Sequence, residues 1–494
     1  MKLIISSFSA TSILINIIFV WVSLSVVAAQ TSNWTANNEA GKKSYKEGRY
    51  AEAETFFLRA LNEAEKFSEQ DSRLFTSLNN LAFIYDAQAK YDLAEQLYKR
   101  ALAGKEKVHG PNHPDVALGL NNLAALYYKQ YRYAAAEALY KRAIAIQEKA
   151  FGLEDSSVAT FLNNLALVYS ALGNYAAAEP LHLRSLNIEE KILGAQHSDV
   201  AISLNNLAEV YRLQAKFTSA EPLYKRAIVI QEKAFGSDHP NVATILKNLA
   251  LLYSAQARYD EAESLVKKAL VIKEKRMGRD HPEVAVTLTN LAGVYNDQGK
   301  YKEAESLGKR ALTIQEKVLG PDHPSIARCL NSLTRSYHYQ GEYGKAAVLA
   351  KRALTIQEKI LGPVHPETAS TLNNLAAVYS SMGNFVLAES LFQRSLTIRE
   401  KALGLNHPDT ATALHGMAFT YTLQGKFTEA EPLYRQALAI WEKTLGPDHP
   451  TLVMGLENYA RMLRKYGRED KAAELEGRVK KMRTKHGSSK DDFR

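Results

Sequence analysis

The chain has one cysteine, Cys329, among 494 residues. An intramolecular disulfide is therefore excluded, and the packing of secondary-structure elements has to stabilise the fold. A large excess of one charge is missing too, because 62 basic and 53 acidic residues are interspersed and leave a net charge of +9. Interspersed charges are typical of a solvated surface, so the composition does not favour a nucleic-acid partner.

Signatures of catalysis are also missing. The chain contains no Gly-rich phosphate loop, no nucleophile elbow and no His-Glu-x-x-His segment. Its Ala-Glu and His-Pro pairs recur at a fixed interval, whereas one catalytic or metal site needs one constellation of residues. We therefore predict no enzymatic activity, no cofactor and no metal site.

What the chain does contain is a five-residue motif, Leu-Asn-Asn-Leu-Ala, that recurs every 42 residues with some variation and is called the phrase below. The clearest copy is Leu372 to Ala376. The other copies begin at Leu78, Leu120, Leu162, Leu204, Leu246, Leu288, Leu330, Leu414 and Leu456. No insertion or deletion interrupts the register, which is expected of stacked identical units rather than of a globular core.

Each repeat is predicted to be a pair of helices. In one copy Leu330, Leu333 and Tyr337 form an apolar stripe with helical spacing, and Gly341 follows the end of that helix. A second apolar stripe then continues to Gly362. The sequence therefore predicts an all-α solenoid of about eleven helix-turn-helix repeats.

The two ends differ from the repeats. Lys2, an apolar stretch and the small residues Ala28 and Ala29 precede Gln30, which is typical of a secretory signal peptide. We expect export to the periplasm or the extracellular space; the alternative is an uncleaved N-terminal membrane anchor. The predicted boundaries are a signal peptide or anchor at 1–29, a linker at 30–36, an atypical N-terminal cap at 37–66, ten repeats at 73–483 and a polar basic tail at 484–494.

The repeat pattern resembles a known family. Its parts are Leu78 to Tyr85, Gly299-Lys300-Tyr301, Ala94 to Ala101 and Glu442 to Pro450. Together they resemble the tetratricopeptide repeat in its 42-residue kinesin light chain form. The resemblance implies a right-handed superhelix whose first helices line a concave groove for protein or peptide partners. The motor-binding heptad region of kinesin light chains is absent.

The second Asn of the phrase lies off the packing stripe of its helix, at about 200° from the first Leu. It occurs as Asn80, Asn122, Asn164, Asn206, Asn248, Asn290, Asn374 and Asn458. This row of Asn side chains, called the ladder below, could hydrogen-bond the backbone of an extended peptide. Alternatively, each Asn could form a hydrogen bond that holds its repeat against a neighbouring repeat, an arrangement called the lock below. The resemblance implies peptide contact, so we predict a peptide-binding ladder and keep the lock as the alternative.

Residues that break the repeat on the inner wall are candidates for partner specificity. The basic candidates are Lys129, Arg212, Lys247, Arg328, Arg335 and Arg399. Arg399 stands before the Glu-Lys of its second helix, where kinesin-type repeats often place an Arg that helps to hold acidic peptides. Most repeats have another residue at that position. Basic residues nevertheless outnumber acidic ones among the breaks on the wall, so we predict a protein or peptide partner and a mild complementarity to acidic segments.

We therefore predict a non-catalytic scaffold that binds an extended peptide or a partner helix in its groove. The alternative is a structural, self-assembling solenoid that braces an envelope or extracytoplasmic complex through its outer helices. No nucleic acid is expected, and a membrane is expected to be contacted only through an uncleaved N-terminal segment.

Overall fold

The computed structural model describes residues 30–486, which contain 22 α-helices and no strand. The predicted signal peptide or anchor at 1–29 lies outside these residues, as does the part of the predicted tail from 487 to 494. Residues 484–486, also assigned to the tail, belong to the last helix. The chain divides into two compact units, one that ends at Gly119 and one that begins at Leu120.

The first unit is a short stack of helix pairs. Its helices are α1 (30–46), α2 (Tyr50–Ala64), α3 (Ser72–Ala87), α4 (Tyr91–His109) and the start of α5 (Pro114–Lys129). The predicted linker at 30–36 is wrong, because these residues are helical and belong to α1. Trp34 donates from Nε1 to Ser77 Oγ (2.8 Å) and packs against a core that includes Phe57. The polar composition of 30–36 concealed this one apolar anchor.

The second unit continues the same pattern of helix pairs after the end of α5. Its helices are α6 (Tyr133–Phe151), α7 (Ser156–Ala171), α8 (Tyr175–Leu193), α9 (Ser198–Leu213), α10 (Phe217–Phe235), α11 (Pro240–Ala255), α12 (Tyr259–Met277), α13 (Pro282–Asp297), α14 (Tyr301–Leu319), α15 (Pro324–Tyr339), α16 (Tyr343–Ile360), α17 (Pro366–Ser381), α18 (Phe385–Leu403), α19 (Pro408–Leu423), α20 (Phe427–Leu445), α21 (Thr451–Lys465) and α22 (Glu469–His486). The first helix of a repeat, such as α7, is called helix A below, and the second, such as α8, helix B.

The His-Pro pairs begin helices A. At α15, His323 is the N-cap residue in extended conformation, and its Nδ1 accepts a hydrogen bond from the Ser325 backbone N–H (3.1 Å). Pro324 occupies the first helical position, where a missing N–H costs nothing. The preceding repeat ends at Gly320, which follows α14 with a φ of 82°, a conformation that favours glycine. The repeated histidines are thus structural caps.

Small and branched side chains fill the core between helices A and B. Ala166, Ala208 and Ala250, which follow the second Leu of the phrase, expose none of their surface. The absence of bulk at these positions lets two helices cross closely. Leu204 and Leu246 are also buried, and each contributes about 2 kcal/mol through removal of its side chain from water.

Successive helices A of the second unit touch one another more closely than successive helices B do. Helices A therefore line the inner, concave side of this unit, and helices B form its outer side. The winding also brings together repeats 236 residues apart: Tyr131 donates to Glu367 Oε1 (3.2 Å), and His407 Nε2 donates to Ala171 O (3.1 Å). Among the described residues, no helix is long and apolar enough to cross a bilayer.

Candidate functional site

The inner wall of the second unit consists of the helix A surfaces that carry the Asn pairs. Asn164 donates from Nδ2 to Asn121 Oδ1 of the preceding repeat (2.8 Å), and Asn248 makes the same bond to Asn205 (2.9 Å). The second Asn of one repeat is thus held by the first Asn of the repeat before it. This geometry matches the inter-repeat lock that the sequence left open.

The remaining ladder residues follow the same pattern in part. In the first unit Asn80 Nδ2 donates to Asn38 Oδ1 (2.7 Å), and in the second unit Asn458 Nδ2 donates to His415 Nε2 (3.2 Å). Asn122 and Asn206 each accept a hydrogen bond from the adjacent Asn of their own repeat. The last two ladder residues are Asn290 and Asn374. All eight side chains are half-buried. Peptide binding by this ladder stays a prediction.

Two of the predicted basic specificity residues donate hydrogen bonds to carboxylates of the chain itself. Arg212 donates to both carboxylate oxygens of Glu209 at 2.6 and 2.8 Å. Arg335 donates to Asp297 Oδ1 at 2.5 Å. These pairs neutralise part of the positive charge that the sequence assigned to the wall, so both arginines offer less attraction to an acidic partner.

The other four basic candidates have different surroundings. Arg328 and Lys129 are exposed, although Arg328 Nη1 lies 3.9 Å from Glu367 Oε1. Lys247 is half-buried, and burial lowers the pKa of its ammonium group. Arg399 is buried and donates to the backbone oxygen of Asp409 (2.6 Å). Burial also lowers the pKa of Arg399. Arg328 and Lys129 are therefore the most accessible basic groups of the predicted set.

Arg399 belongs to a position of helix B that repeats every 42 residues and lies beneath the inner wall. The ten residues are Lys105, Gln147, Glu189, Gln231, Lys273, Gln315, Gln357, Arg399, Trp441 and Arg483. Eight of them are buried, and Lys105 and Arg483 are partly buried. Gln231 donates to Ser198 O (2.8 Å) and Trp441 to Pro408 O (3.0 Å), both in the first turn of a helix A. The position therefore ties helix B to the start of the inner helices.

A buried polar network around Glu189 escaped the sequence analysis. His182 Nδ1 lies 2.7 Å from Asn163 Oδ1, and Asn163 Nδ2 donates to Ser203 Oγ. Ser203 in turn bonds to the Glu189 carboxylate. Burial lowers the pKa of His182 to about 4, so the imidazole is neutral at pH 7. The available signal was a break in the repeat, since His182 stands where Tyr140 and other repeats have an aromatic ring.

Metal and thiol chemistry have little support in the part of the chain from 30 to 486. No group of three or more His, Cys, Asp or Glu side chains there is arranged to hold a metal ion. Cys329 is buried, and burial raises the pKa of its thiol. A buried, protonated thiol is a poor nucleophile.

Comparison with known proteins agrees with this geometry. The tetratricopeptide repeat family profile matches residues 35–107, 73–149, 157–233, 199–275, 283–359, 348–401, 367–431 and 409–485. The chain belongs to the tetratricopeptide repeat family, and its repeats are of the kinesin light chain type. Proteins of this family are generally non-catalytic protein-interaction scaffolds.

The solved structures that are similar to this chain include the following three. The Podosopora anserina protein with kinesin light chain nearly identical TPR-like repeats is 30% identical, with 42% of this chain and 99% of that chain covered and a TM-score of 0.34. BtubC (BKLC) from P. vanneervenii is 20% identical, with 48% and 92% covered and a TM-score of 0.36. A Rap protein complexed with Competence and Sporulation Factor is 14% identical, with 84% and 99% covered and a TM-score of 0.50. No curated protein matches the sequence.

Proposed function

We propose that the chain is a scaffold that binds an extended peptide along the inner wall of its helices A. The observation that carries the proposal is the row of half-buried amide side chains, which includes Asn164, Asn206 and Asn248, at one per repeat on that wall. An amide can donate and accept hydrogen bonds, so it suits a peptide backbone. The Rap protein, which has the same fold, was solved with Competence and Sporulation Factor bound, which adds support.

The bonds between neighbouring Asn side chains are compatible with this function. Asn164 and Asn248 use Nδ2 toward the preceding repeat, and a carboxamide oxygen can accept more than one hydrogen bond. The same residue could thus hold the repeat and present its oxygen to a peptide N–H. Each such net bond is worth about 1 kcal/mol, so several repeats together would be needed for useful affinity.

The test is a selection from phage-displayed random 12-residue peptides on the chain from Gln30 onwards. We expect enriched peptides whose binding is lost when Asn164, Asn206 and Asn248 are replaced together by Ala, while far-UV circular dichroism shows helicity retained. Asn187→Ala, on the outer helix α8, is the matched control and should leave binding intact. Failure to enrich any peptide would contradict the proposal, and loss of helicity would favour a structural lock.

A structural role is the second candidate, and the outer helices favour it. Val271, Val348 and Val386 lie on helices B and expose 62%, 66% and 80% of their surface. Exposed apolar side chains on one face are typical of a surface that contacts another protein. Under this alternative the solenoid would assemble with copies of itself or brace an envelope complex. Concentration-dependent mass measured by light scattering tests it.

We also propose that the chain is exported. The support is in the sequence alone, where Lys2 and an apolar stretch precede Ala28-Ala29 and Gln30. An uncleaved segment would instead anchor the protein to a membrane. The two outcomes are separated by the N-terminal sequence of the mature protein.

A further inference from the structure

The inner wall contains a cavity of about 360 Å³ between two successive helices A of the second unit. Its lining comes from α7, the last turns of α8, and α9. The lining includes Asn163, Asn164, Glu189, Asp199 and Asn206. Asn164 and Asn206 belong to the ladder, so the cavity opens where we propose that a peptide lies.

Glu189 forms part of this cavity and is incompletely paired. Only 6% of its surface is exposed, and within the described part of the chain Oε2 has no hydrogen-bond partner. The carboxylate does interact with Ser203. A buried carboxylate oxygen without a donor is costly, so a donor supplied by a ligand would be strongly favoured. Burial raises the pKa of Glu189 to about 7, with the nearby Asp199 adding to the effect.

The charge of the cavity is uncompensated. Two of its ten lining residues, Glu189 and Asp199, are acidic, and none of the ten is Lys, Arg or His. The His197 imidazole lies beside one of these acids, with its Nδ1 3.7 Å from Asp199 Oδ2. That imidazole also accepts from the Asp199 backbone N–H, which caps α9. The cavity thus offers two carboxylates and no cation of its own.

Another repeat of the same chain shows what fits here. Lys273 occupies the position equivalent to Glu189, two repeats further on, and its Nζ pairs with Glu283 Oε2 at 2.8 Å. Glu283 follows Lys273 by ten residues, as Asp199 follows Glu189. In that repeat a cation and an acid face each other, whereas both positions are acidic in the Glu189 repeat. An ammonium group at this depth therefore has an internal precedent.

We propose that the cavity beside Glu189 receives a cationic side chain, the ammonium of a Lys or the guanidinium of an Arg, from the bound peptide. The inference rests on the proposed peptide groove and gives it a specificity. It also reverses the acidic preference predicted from the sequence at this one repeat. Two neighbouring carboxylates, of which Glu189 is buried and Asp199 exposed, attract a monovalent organic cation, and the ladder residues Asn164 and Asn206 can hold the adjoining backbone.

A bare metal ion suits the cavity less well. A hard divalent cation needs six or more oxygen ligands in protein sites, commonly with several carboxylates. The described residues contain no group of three acids, histidines or cysteines that could hold one. A long side chain also fills a volume of this size better than an ion does.

The experiment compares peptide selection on the wild-type chain from Gln30 onwards with selection on Glu189→Gln, at pH 8, which is above the raised pKa of Glu189. Gln is the residue at the equivalent position in four repeats, so the variant should fold. We expect peptides selected on the wild type to share a Lys or Arg at one position, and those selected on E189Q to lack that preference. Glu154→Gln removes an equal charge at an exposed site and should leave the preference intact.

Affinities of one selected peptide complete the test. Replacing its shared Lys or Arg by norleucine should weaken binding to the wild type about tenfold or more, and binding to E189Q less than threefold. Equal basic content in peptides selected on both proteins would overturn the inference and leave the groove standing. Selection of no peptide on either protein would refute the groove itself, and with it the inference. Calorimetry with CaCl₂ or MgCl₂ alone would also overturn it if the metal bound the wild type but not E189Q.

Discussion

The buried carboxylate of Glu189 should make the stability of its repeat depend on pH. Its pKa is raised from 4.5 to about 7, chiefly by burial. A raised pKa means that the protonated form is favoured in the fold, so the contribution is fully present below pH 4.5. It is lost as the pH rises toward 7 and the folded carboxyl ionises. At pH 8 a shift of this size corresponds to a loss of about 3 kcal/mol of local stability, relative to a carboxyl whose pKa is unshifted.

Replacement of Glu189 by Gln keeps the shape of the side chain and removes the charge. The variant should therefore be more stable than the wild type by up to about 3 kcal/mol at pH 8, and nearly equal to it at pH 4.5. Because the cavity that contains Glu189 is lined by α7, α8 and α9, the gain should be concentrated in these helices.

Hydrogen–deuterium exchange followed by mass spectrometry measures this local opening free energy helix by helix. Both proteins should be compared at pH 5 and pH 8, with correction for the intrinsic exchange rate. Glu154→Gln, at an exposed ion pair with Lys191, is the control and should change little. A stability gain of equal size at both pH values, or a loss at pH 8, would refute the burial argument.

Three further predictions concern other parts of the chain. Burial lowers the pKa of His365 to about 4, so the stability of its contact with Tyr131 should be intact above pH 6.5 and fall as the pH drops toward 4. Hydrogen–deuterium exchange of the α17 segment measures this stability. His365→Asn keeps a capping side chain and should remove the pH dependence; a variant with the same pH dependence as the wild type would contradict the prediction. Trp34→Ala should destabilise the first unit by about 2 kcal/mol in urea unfolding, through lost packing and the bond to Ser77; a loss below 0.5 kcal/mol would contradict the anchoring of α1. Edman sequencing of the secreted protein should begin at Gln30, whereas an intact N-terminus in a membrane fraction would favour the anchor.

Much of the local structure was predictable because the repeat supplies its own redundancy. Pro324 and Gly341 flank a helix A whose apolar stripe is visible in one copy and confirmed by nine others. The helix at 30–36 was not predicted, because this segment lacks such redundancy. Those residues precede the first full repeat, so a single Trp34 in a polar stretch had no second copy to support its assignment to a helix.

The candidate site was predictable only in part. The helical wheel placed Asn164 and Asn248 off the packing stripe, and both lie on the inner wall. The hydrogen bonds of these residues to Asn121 and Asn205 could not be predicted from the sequence. The pattern of one helix does not define how that helix is aligned along the next one. Glu189 was missed since its importance depends on burial and on the lack of a nearby donor, which spacing cannot reveal.

The sequence by itself determined the helix pairs, their caps and their order, because these depend on residues within one 42-residue period and on contacts with the next. Only the tertiary structure decided which distant repeats meet, as in the bond between Tyr131 and Glu367. A small rotation per repeat accumulates over several repeats, and its sum follows from packing details that no single copy encodes. The same holds for Glu189, where two stacked helices and one helix B together leave a carboxylate buried without a cation.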